Sequence, residues 1–301
     1  GSTKSQILQK KKEMSPIAFA QNYESKWVGA ADGALVNINK LMECRNLTTP
    51  MIKNDNLADE FFIGVDVARS ESTANNQSSA AICRVKRHPT TGRVTSIELV
   101  NTINISNTKN FTAQACEVKK LKRDFNAKYV IVDGNGLGSG LVDELLKESF
   151  DPITGESLGC WDTINTDNMP ELVGAERCLF DMKAQTYQSK VISYFIGVVD
   201  SGMLRLLQKR SDGDFNSKEK DNYIEKVLPY IQTDFLFEEI ANLKLKILSN
   251  GALTVEKIVK KINKDRWSAL CYCIFYIMEF EAIINHSDQT DIDIISEYTY
   301  L

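Results

Sequence analysis

Histidine is almost missing from this chain, with two among 301 residues, His88 and His286. His88 sits in the turn-like stretch His88-Pro89-Thr90-Thr91-Gly92, and His286 follows the last apolar run. That scarcity excludes Ser-His-Asp and Cys-His catalysis and histidine-rich metal sites. The seven cysteines stand at 44, 83, 116, 160, 178, 271 and 273, an odd count without a CxxC pair. Neither a disulfide framework nor a zinc knuckle fits that spacing, so they read as buried thiols. There is no Gly-Lys dipeptide, which removes a Walker A loop and P-loop ATPase activity. No stretch reaches the roughly 20 apolar residues of a membrane span, and no apolar signal region follows the N-terminal basic residues. The chain therefore reads as soluble and intracellular, without membrane contact. Any chemistry it performs is expected to rest on carboxylates.

What is present is ordinary globular composition, 43% hydrophobic and 25% charged, in a length that suits one large domain. Net charge is -4, yet the tail after residue 284 holds Asp288, Asp291, Asp293 and Glu297 with no cation. The rest of the chain is neutral, with two locally basic faces: Lys119, Lys120, Lys122, Arg123 and Lys128, and a second run over 257–266. Either is a solvated helix surface or a surface for a phosphate backbone. We read residues 1–59 as a connector with little core of its own, opened by Gly1-Ser2, which looks like the scar of a cleaved tag. Residues 60–286 read as the folded domain and 287–301 as an acidic tail.

The pattern changes at Phe61-Phe-Ile-Gly-Val-Asp66, an apolar run that predicts a buried strand ending near Asp66. Strands over 80–86 and about 94–105 follow as an antiparallel meander. Apolar residues at helical spacing predict a helix over 110–125, then Tyr129-Val-Ile-Val-Asp133 predicts another buried strand. A glycine loop, Gly134-Asn-Gly-Leu-Gly138, leads into a helix at about 139–148, and Trp161 to Ile164 reads as a fifth strand. Helices are expected around 175–198 and 233–249, with a polar loop over 208–222, and a last long helix from Asp265 to about Ile284. This order predicts an α/β fold: a mixed five-stranded sheet, three antiparallel strands and then parallel ones, flanked by helices.

A right-handed crossover through helix 110–125 would lay the strand ending at Asp133 parallel to the one ending at Asp66. Both carboxylates would then face one crevice at the strand ends, where like charges ask for a cation between them. Asp265, in Lys264-Asp265-Arg266-Trp267, opens the most apolar helix, and an N-terminal acid favoured by the helix dipole explains it equally well alone. The glycine loop is not a dinucleotide fingerprint, because its G-x-G-x-x-G register fails at Ser139 and at Leu141. Oxygen ligands without histidine favour Mg²⁺ or Mn²⁺, in a two-ion arrangement with Asp66 bridging and Asp133 and Asp265 completing the shells. Lys264 and Arg266 are candidates to meet phosphate groups, as is Asn135 in the glycine loop.

Three stretches carry a resemblance: Gly64-Val-Asp66-Val-Ala-Arg-Ser70, Val132-Asp133-Gly-Asn-Gly-Leu-Gly-Ser-Gly-Leu-Val-Asp143, and Lys264-Asp265-Arg-Trp-Ser-Ala-Leu270. The set resembles the C-terminal nuclease domain of tailed-bacteriophage terminase large subunits, in the ribonuclease H-like superfamily, over about residues 61–281. That family often has an acidic residue about ten positions after the first motif, where this chain reads Asn75-Asn76-Gln77-Ser78-Ser79. The resemblance implies a metal-dependent endonuclease that cuts concatemeric double-stranded viral DNA during genome packaging in the host cytoplasm. It also implies an ATPase motor ahead of this domain, which this chain lacks, and portal protein and small terminase subunit as partners. A Holliday-junction-resolvase-like nuclease of the same superfamily is close in pattern, and a non-catalytic DNA-packaging adaptor is the reading without chemistry. A sugar-kinase-like ATPase fits worse, because Val67-Ala68 stands where that fold wants Gly and then Ser or Thr.

Overall fold

The computed structural model describes residues 33–67, 78–105, 110–210 and 223–287. Among the described residues one short helix, α1 (Ile38–Glu43), precedes the sheet; Asn37 caps it by accepting the Asn39 N–H at 2.9 Å. The run at Phe61 forms β1 (Glu60–Asp66), and β2 (Ser78–Arg87) and β3 (Val94–Ile105) pair antiparallel in series, as the meander predicts. Helix α2 (Phe111–Phe125) begins at Asn110, whose side chain accepts the Ala113 N–H, and ends at Asn126 in the left-handed conformation, φ 46°. It returns the chain to β4 (Tyr129–Asp133), parallel to β1 with Val65 opposite Val132. The crossover inferred from sequence is therefore present.

After helix α3 (Gly138–Leu145) a small hairpin, β5 (Ser149–Phe150) with β6 (Ser157–Gly159), leads to β7 (Trp161–Thr163). Here the fold departs from the sequence reading. Residues 175–183 are not the start of a helix. They form β8 (Glu176–Met182), which lies between β7 and β4 and is parallel to both. The helix, α4 (Ala184–Asp200), starts only afterwards, with Lys183 at its N-cap and no side-chain cap to mark the boundary. A short β9 (Leu204–Arg205) adds to the far edge beside β3. The sheet accordingly has seven strands rather than five, in the order β7-β8-β4-β1-β2-β3-β9, with β1 at its centre.

Helix α5 (Tyr223–Ala241) is followed by a second hairpin, β10 (Leu243–Ile247) with β11 (Leu253–Lys257), where a continuous helix to 249 is expected. Leu-Lys-Leu-Lys-Ile alternates with period two, so the strand is the better physical reading. The chain closes on α6 (Asp265–Ser287). Alternate residues of β1 point to opposite faces. Phe62 joins a core shared with α4, α5 and α6, while Phe61, Ile63 and Val65 pack with α2 and α3. The sheet is thus covered on both sides.

Residues 33–59 contribute side chains to the domain's core. Leu35, Val36, Leu41 and Cys44 are buried in the α4–α6 layer. The Leu35 N–H donates to Leu243 O at 3.0 Å and the Leu245 N–H to Gly33 O at 2.9 Å, adding a bridge to the edge of β10. Arg45 donates to Leu207 O at 2.9 Å and pairs with Asp234 at 2.5 Å. A chain beginning at residue 60 is expected to lose solubility or melt several degrees lower than one beginning at residue 33, as removal of four buried apolar side chains requires. Differential scanning fluorimetry of the two compares them directly.

Candidate active site

Asp66 ends the central strand, and strand alternation puts it on the same face as Phe62 and Gly64, the face covered by α6. Asp133 ends β4 at the adjacent position. The two carboxylates converge on one side chain, since the Tyr272 hydroxyl lies 3.4 Å from Asp66 Oδ1 and 3.4 Å from Asp133 Oδ2. Tyr272 is buried on α6, and a sequence reading that saw only an apolar helix could not single it out. The other oxygen of Asp133, Oδ1, accepts the Asn135 amide at 2.9 Å and the Asn135 and Ala184 backbone N–H groups at 3.2 Å each. The glycine loop and the start of α4 thereby fix the rotamer of Asp133 and leave Oδ2 facing Asp66.

Asp265 lies in the first turn of α6, one turn before Ala269, which packs against Gly64. That register places it near Asp66. Burial pushes the Asp66 carboxyl up to about 8, with Asp265 and then Asp133 adding to the rise and Lys264 opposing it. Burial also holds the Tyr272 hydroxyl well above the ordinary phenol range. Among the described residues, however, no three histidine, cysteine, aspartate or glutamate side chains are gathered closely enough to hold an ion by themselves. The three predicted aspartates share one neighbourhood, with Asp66 and Asp133 as the tight pair. Their donor chemistry, carboxylate and hydroxyl oxygens with a like-charge excess, fits a hard divalent cation.

The flanking cations have different surroundings. Lys264 is exposed, lies 5.6 Å from the centre of the Trp267 ring and lines a cleft of about 180 Å³ that also borders Asp133 and Tyr272. Arg266 is engaged inside the protein: it donates to Gln232 at 2.7 Å and to Glu239 at 2.6 Å, and stacks over Phe235 at 5.2 Å. Glu239, 2% exposed, uses its second oxygen to accept the Trp267 N–H at 3.0 Å. Burial raises the Glu239 carboxyl and the Arg266 charge opposes that rise. This pair anchors the first turn of α6, and so the position of Asp265. Glu239→Ala, which strands a guanidinium of 14% exposure and a backbone donor, is expected to lose about 3–5 kcal/mol in urea unfolding. Glu239→Gln should lose less than half of that.

Asp181, on the next strand, is a further buried acid that the sequence reading passed over, because it took this stretch for helix. It is the last residue but one of β8, opposite Val132, is 4% exposed, and pairs with Lys183 at 2.9 Å. Its carboxylate occupies the space that a side chain at position 134 would fill, so glycine there is a packing requirement. Asn75, Asn76 and Gln77 lie outside the described residues, as does the acidic tail from Asp288 onward.

No family model matches the sequence, and no curated protein matches it either. Among solved structures, the chain is similar to the large terminase nuclease of thermophilic phage G20c with bound cobalt, at 11% identity and a TM-score of 0.49, over 81% of this chain and 97% of that one. It is similar to the large terminase of bacteriophage HK97 at 10% identity and a TM-score of 0.48, over 92% of this chain and 51% of the other. A third similar structure is the nuclease domain of the large terminase subunit gp2 of bacterial virus Sf6, at 12% identity and 0.39, over 80% and 98%. The chain spans about half of the HK97 protein.

Proposed function

We propose that this chain is a divalent-metal-dependent DNA endonuclease of the terminase large-subunit kind, hydrolysing phosphodiester bonds in double-stranded viral DNA during packaging. The observation that carries the reading is the convergence of Asp66 and Asp133, from adjacent parallel strand ends, on one buried hydroxyl. Such a pair is unfavourable in an apo protein and useful around a cation. Asp66 and Asp133 would hold Mg²⁺ or Mn²⁺, with Asp265 supplying the third carboxylate for a second ion. When bound, the metal supplies Lewis-acid charge for a phosphodiester hydrolysis that leaves 5′-phosphate and 3′-hydroxyl ends.

The protein's own groups do the positioning. Asn135 and the Ala184 N–H hold Asp133 Oδ1, Tyr272 orients the two facing oxygens, and Lys264 at the mouth of the cleft would meet a phosphate. Arg266 would act indirectly, by fixing the start of α6. Residues 1–59 would join the domain to a motor, residues 287–301 would form an acidic tail, and portal protein and small terminase subunit would be the partners, in the host cytoplasm. The described residues contain no helix long and apolar enough to cross a membrane.

The test is plasmid cleavage by this chain with Mn²⁺ or Mg²⁺ and no nucleotide. Supercoiled DNA should become nicked and linear, and EDTA should stop it. Activity that persists in excess EDTA would overturn the metal assignment, and a tightly metal-loaded protein that leaves DNA intact would favour the packaging adaptor.

A further inference from the structure

The two basic runs of the sequence have opposite surroundings in the fold. In the first, each of the five cations is engaged. Lys119 is 1% exposed and donates to the carbonyl oxygens of Lys147 and Gly159 and to the Ser149 hydroxyl, at 2.5, 2.7 and 2.7 Å. Lys120 pairs with Asp151 at 3.4 Å, Lys122 with Glu176 at 2.6 Å, Arg123 with Asp124 at 3.1 Å and Lys128 with Glu60 at 3.3 Å. A phosphate backbone arriving on that face would meet an acid beside every exposed cation. In the second, residues 243–264 hold six lysines against Glu256 alone. Glu256 pairs with Lys246, and Lys244, Lys257, Lys260 and Lys261 have no ion-pair partner among the described residues.

These four lysines gather in one place. Lys244 is the second residue of β10 and Lys257, opposite Leu243, is the last of β11, so both stand at the open end of the hairpin. Residues 258–263 continue from that end, and Asn242, 6% exposed, fastens them to it. Its side chain accepts the Val259 N–H at 2.8 Å and donates to Val259 O at 3.0 Å, while its carbonyl accepts the Ile258 N–H at 2.9 Å. Lys260 and Lys261 are exposed on this fastened loop. The chain then passes through Lys264 into Asp265, so Lys261 lies at most about 14 Å from the first residue of α6. Val255 of β11 borders the same cleft as Asp133 and Lys264. The uncompensated positive charge therefore begins beside the carboxylates and extends away from them.

We infer that the DNA duplex lies along the open end of the β10–β11 hairpin, its phosphates held by Lys257, Lys260 and Lys261 with Lys244 further out, and that the Lys119–Lys128 face takes no part. The inference rests on the nuclease reading and names the surface that carries the substrate. A duplex presents one charge about every 1.7 Å of its axis, so the ~14 Å between Lys261 and the start of α6 spans roughly eight phosphates beside the scissile one. Clustered lysines raise the local potential and draw in a polyanion, which also relieves their mutual repulsion. Because Asn242 already holds the loop, little backbone ordering is lost when a phosphate arrives.

The experiment is fluorescence anisotropy of the full chain with a labelled duplex of about 20 base pairs in Ca²⁺, titrated between about 50 and 200 mM salt. Lys260→Gln combined with Lys261→Gln should weaken binding about tenfold at the low-salt end and make the log-log salt slope shallower by about 2. Lys260→Arg with Lys261→Arg keeps the charge and should bind as the parent does. Arg123→Gln with Lys128→Gln removes as much charge from the other face and should stay within about twofold of the parent, with its slope. Should the Lys260/Lys261 glutamine pair melt far below the parent, Lys244→Gln is read instead, with a slope shallower by about 1. A loss of equal size from the Arg123/Lys128 pair, an arginine pair as weak as the glutamine pair, or a parent that binds no duplex would each overturn the inference. So would an unchanged slope in the glutamine pair, the result expected if this end of the hairpin, where Ile258 and Val259 are also exposed, serves a protein partner. Failure of the nuclease reading looks different, since the duplex is then bound with this pattern and left intact in Mn²⁺.

Discussion

Asp66→Asn is expected to lower divalent-dependent cleavage by roughly a thousandfold or more and to make the metal-free protein more stable at pH 8. The second effect separates a carboxylate kept for a cation from one kept for the fold. The Asp66 carboxyl stands at about 8 in the folded chain, against 3.8 for an unperturbed aspartate, because burial and the charges of Asp265 and Asp133 disfavour its ionisation. Between those values the folded protein holds a proton that the unfolded chain does not. Stability of the metal-free protein should therefore fall as pH rises from about 4 to about 8, then level off. Asparagine has no charge to bury at any of these values, and its side chain still offers an acceptor to Tyr272.

The gain from Asp66→Asn should thus be near zero at pH 4 and largest at pH 8. Asp66 keeps some solvent contact, so we expect about 1–2 kcal/mol, or several degrees in melting temperature, rather than the full value of the shift. Adding Mg²⁺ should raise the melting temperature of the parent and leave the variant unmoved. Thermal melts in EDTA and in Mg²⁺ across this pH range measure both. A variant that is less stable at every pH would make Asp66 a structural residue, and equal melts would mean that its burial is not costly.

The parts legible in the sequence are those where one local rule decides. The runs ending at Asp66 and Asp133 are short, apolar and bounded by polar or glycine residues, and buried strands look like that. Their parallel pairing follows from crossover handedness, and the convergence of the two acids follows from the pairing. The parts that stayed hidden depend on contacts distant in sequence. At 176–182, Cys178, Leu179, Phe180 and Met182 carry no β-branched residue, and no capping side chain separates them from α4. Only insertion between β4 and β7 makes that segment a strand, and with it hides or reveals Asp181.

Tyr272 and Glu239 show the same limit at the site. Each lies in a helix whose apolar neighbours dominate the pattern, and each acquires its role from a partner elsewhere: Tyr272 from Asp66, 206 residues away, and Glu239 from the Trp267 N–H, 28 residues away. Arg266 was conspicuous in sequence as a cation beside a candidate acid. Its partners on α5 give it an internal place that charge patterning could not reveal.

Gly64→Ala is expected to be strongly damaging, with a loss of about 3 kcal/mol or more in urea unfolding together with loss of cleavage. Gly64 sits at the middle of β1 in ordinary extended backbone, so alanine brings no torsional problem of its own. The difficulty is space. A Cβ at this position would overlap the Ala269 carbonyl oxygen and lie 3.0 Å from the Cys273 backbone nitrogen. Both atoms belong to the backbone of α6, so no side-chain rotation relieves the overlap, and the helix must move away from the sheet. Because α6 carries Asp265 and Tyr272, that movement separates them from Asp66 and Asp133. Gly134→Ala provides the control, since the added methyl there meets the Asp181 side chain. Combining it with Asp181→Ala should recover much of the lost stability, while Gly64→Ala combined with Ala269→Gly should recover none. A Gly64→Ala protein within about 0.5 kcal/mol of the parent would mean that α6 can shift freely on β1, and that its register does not set the site.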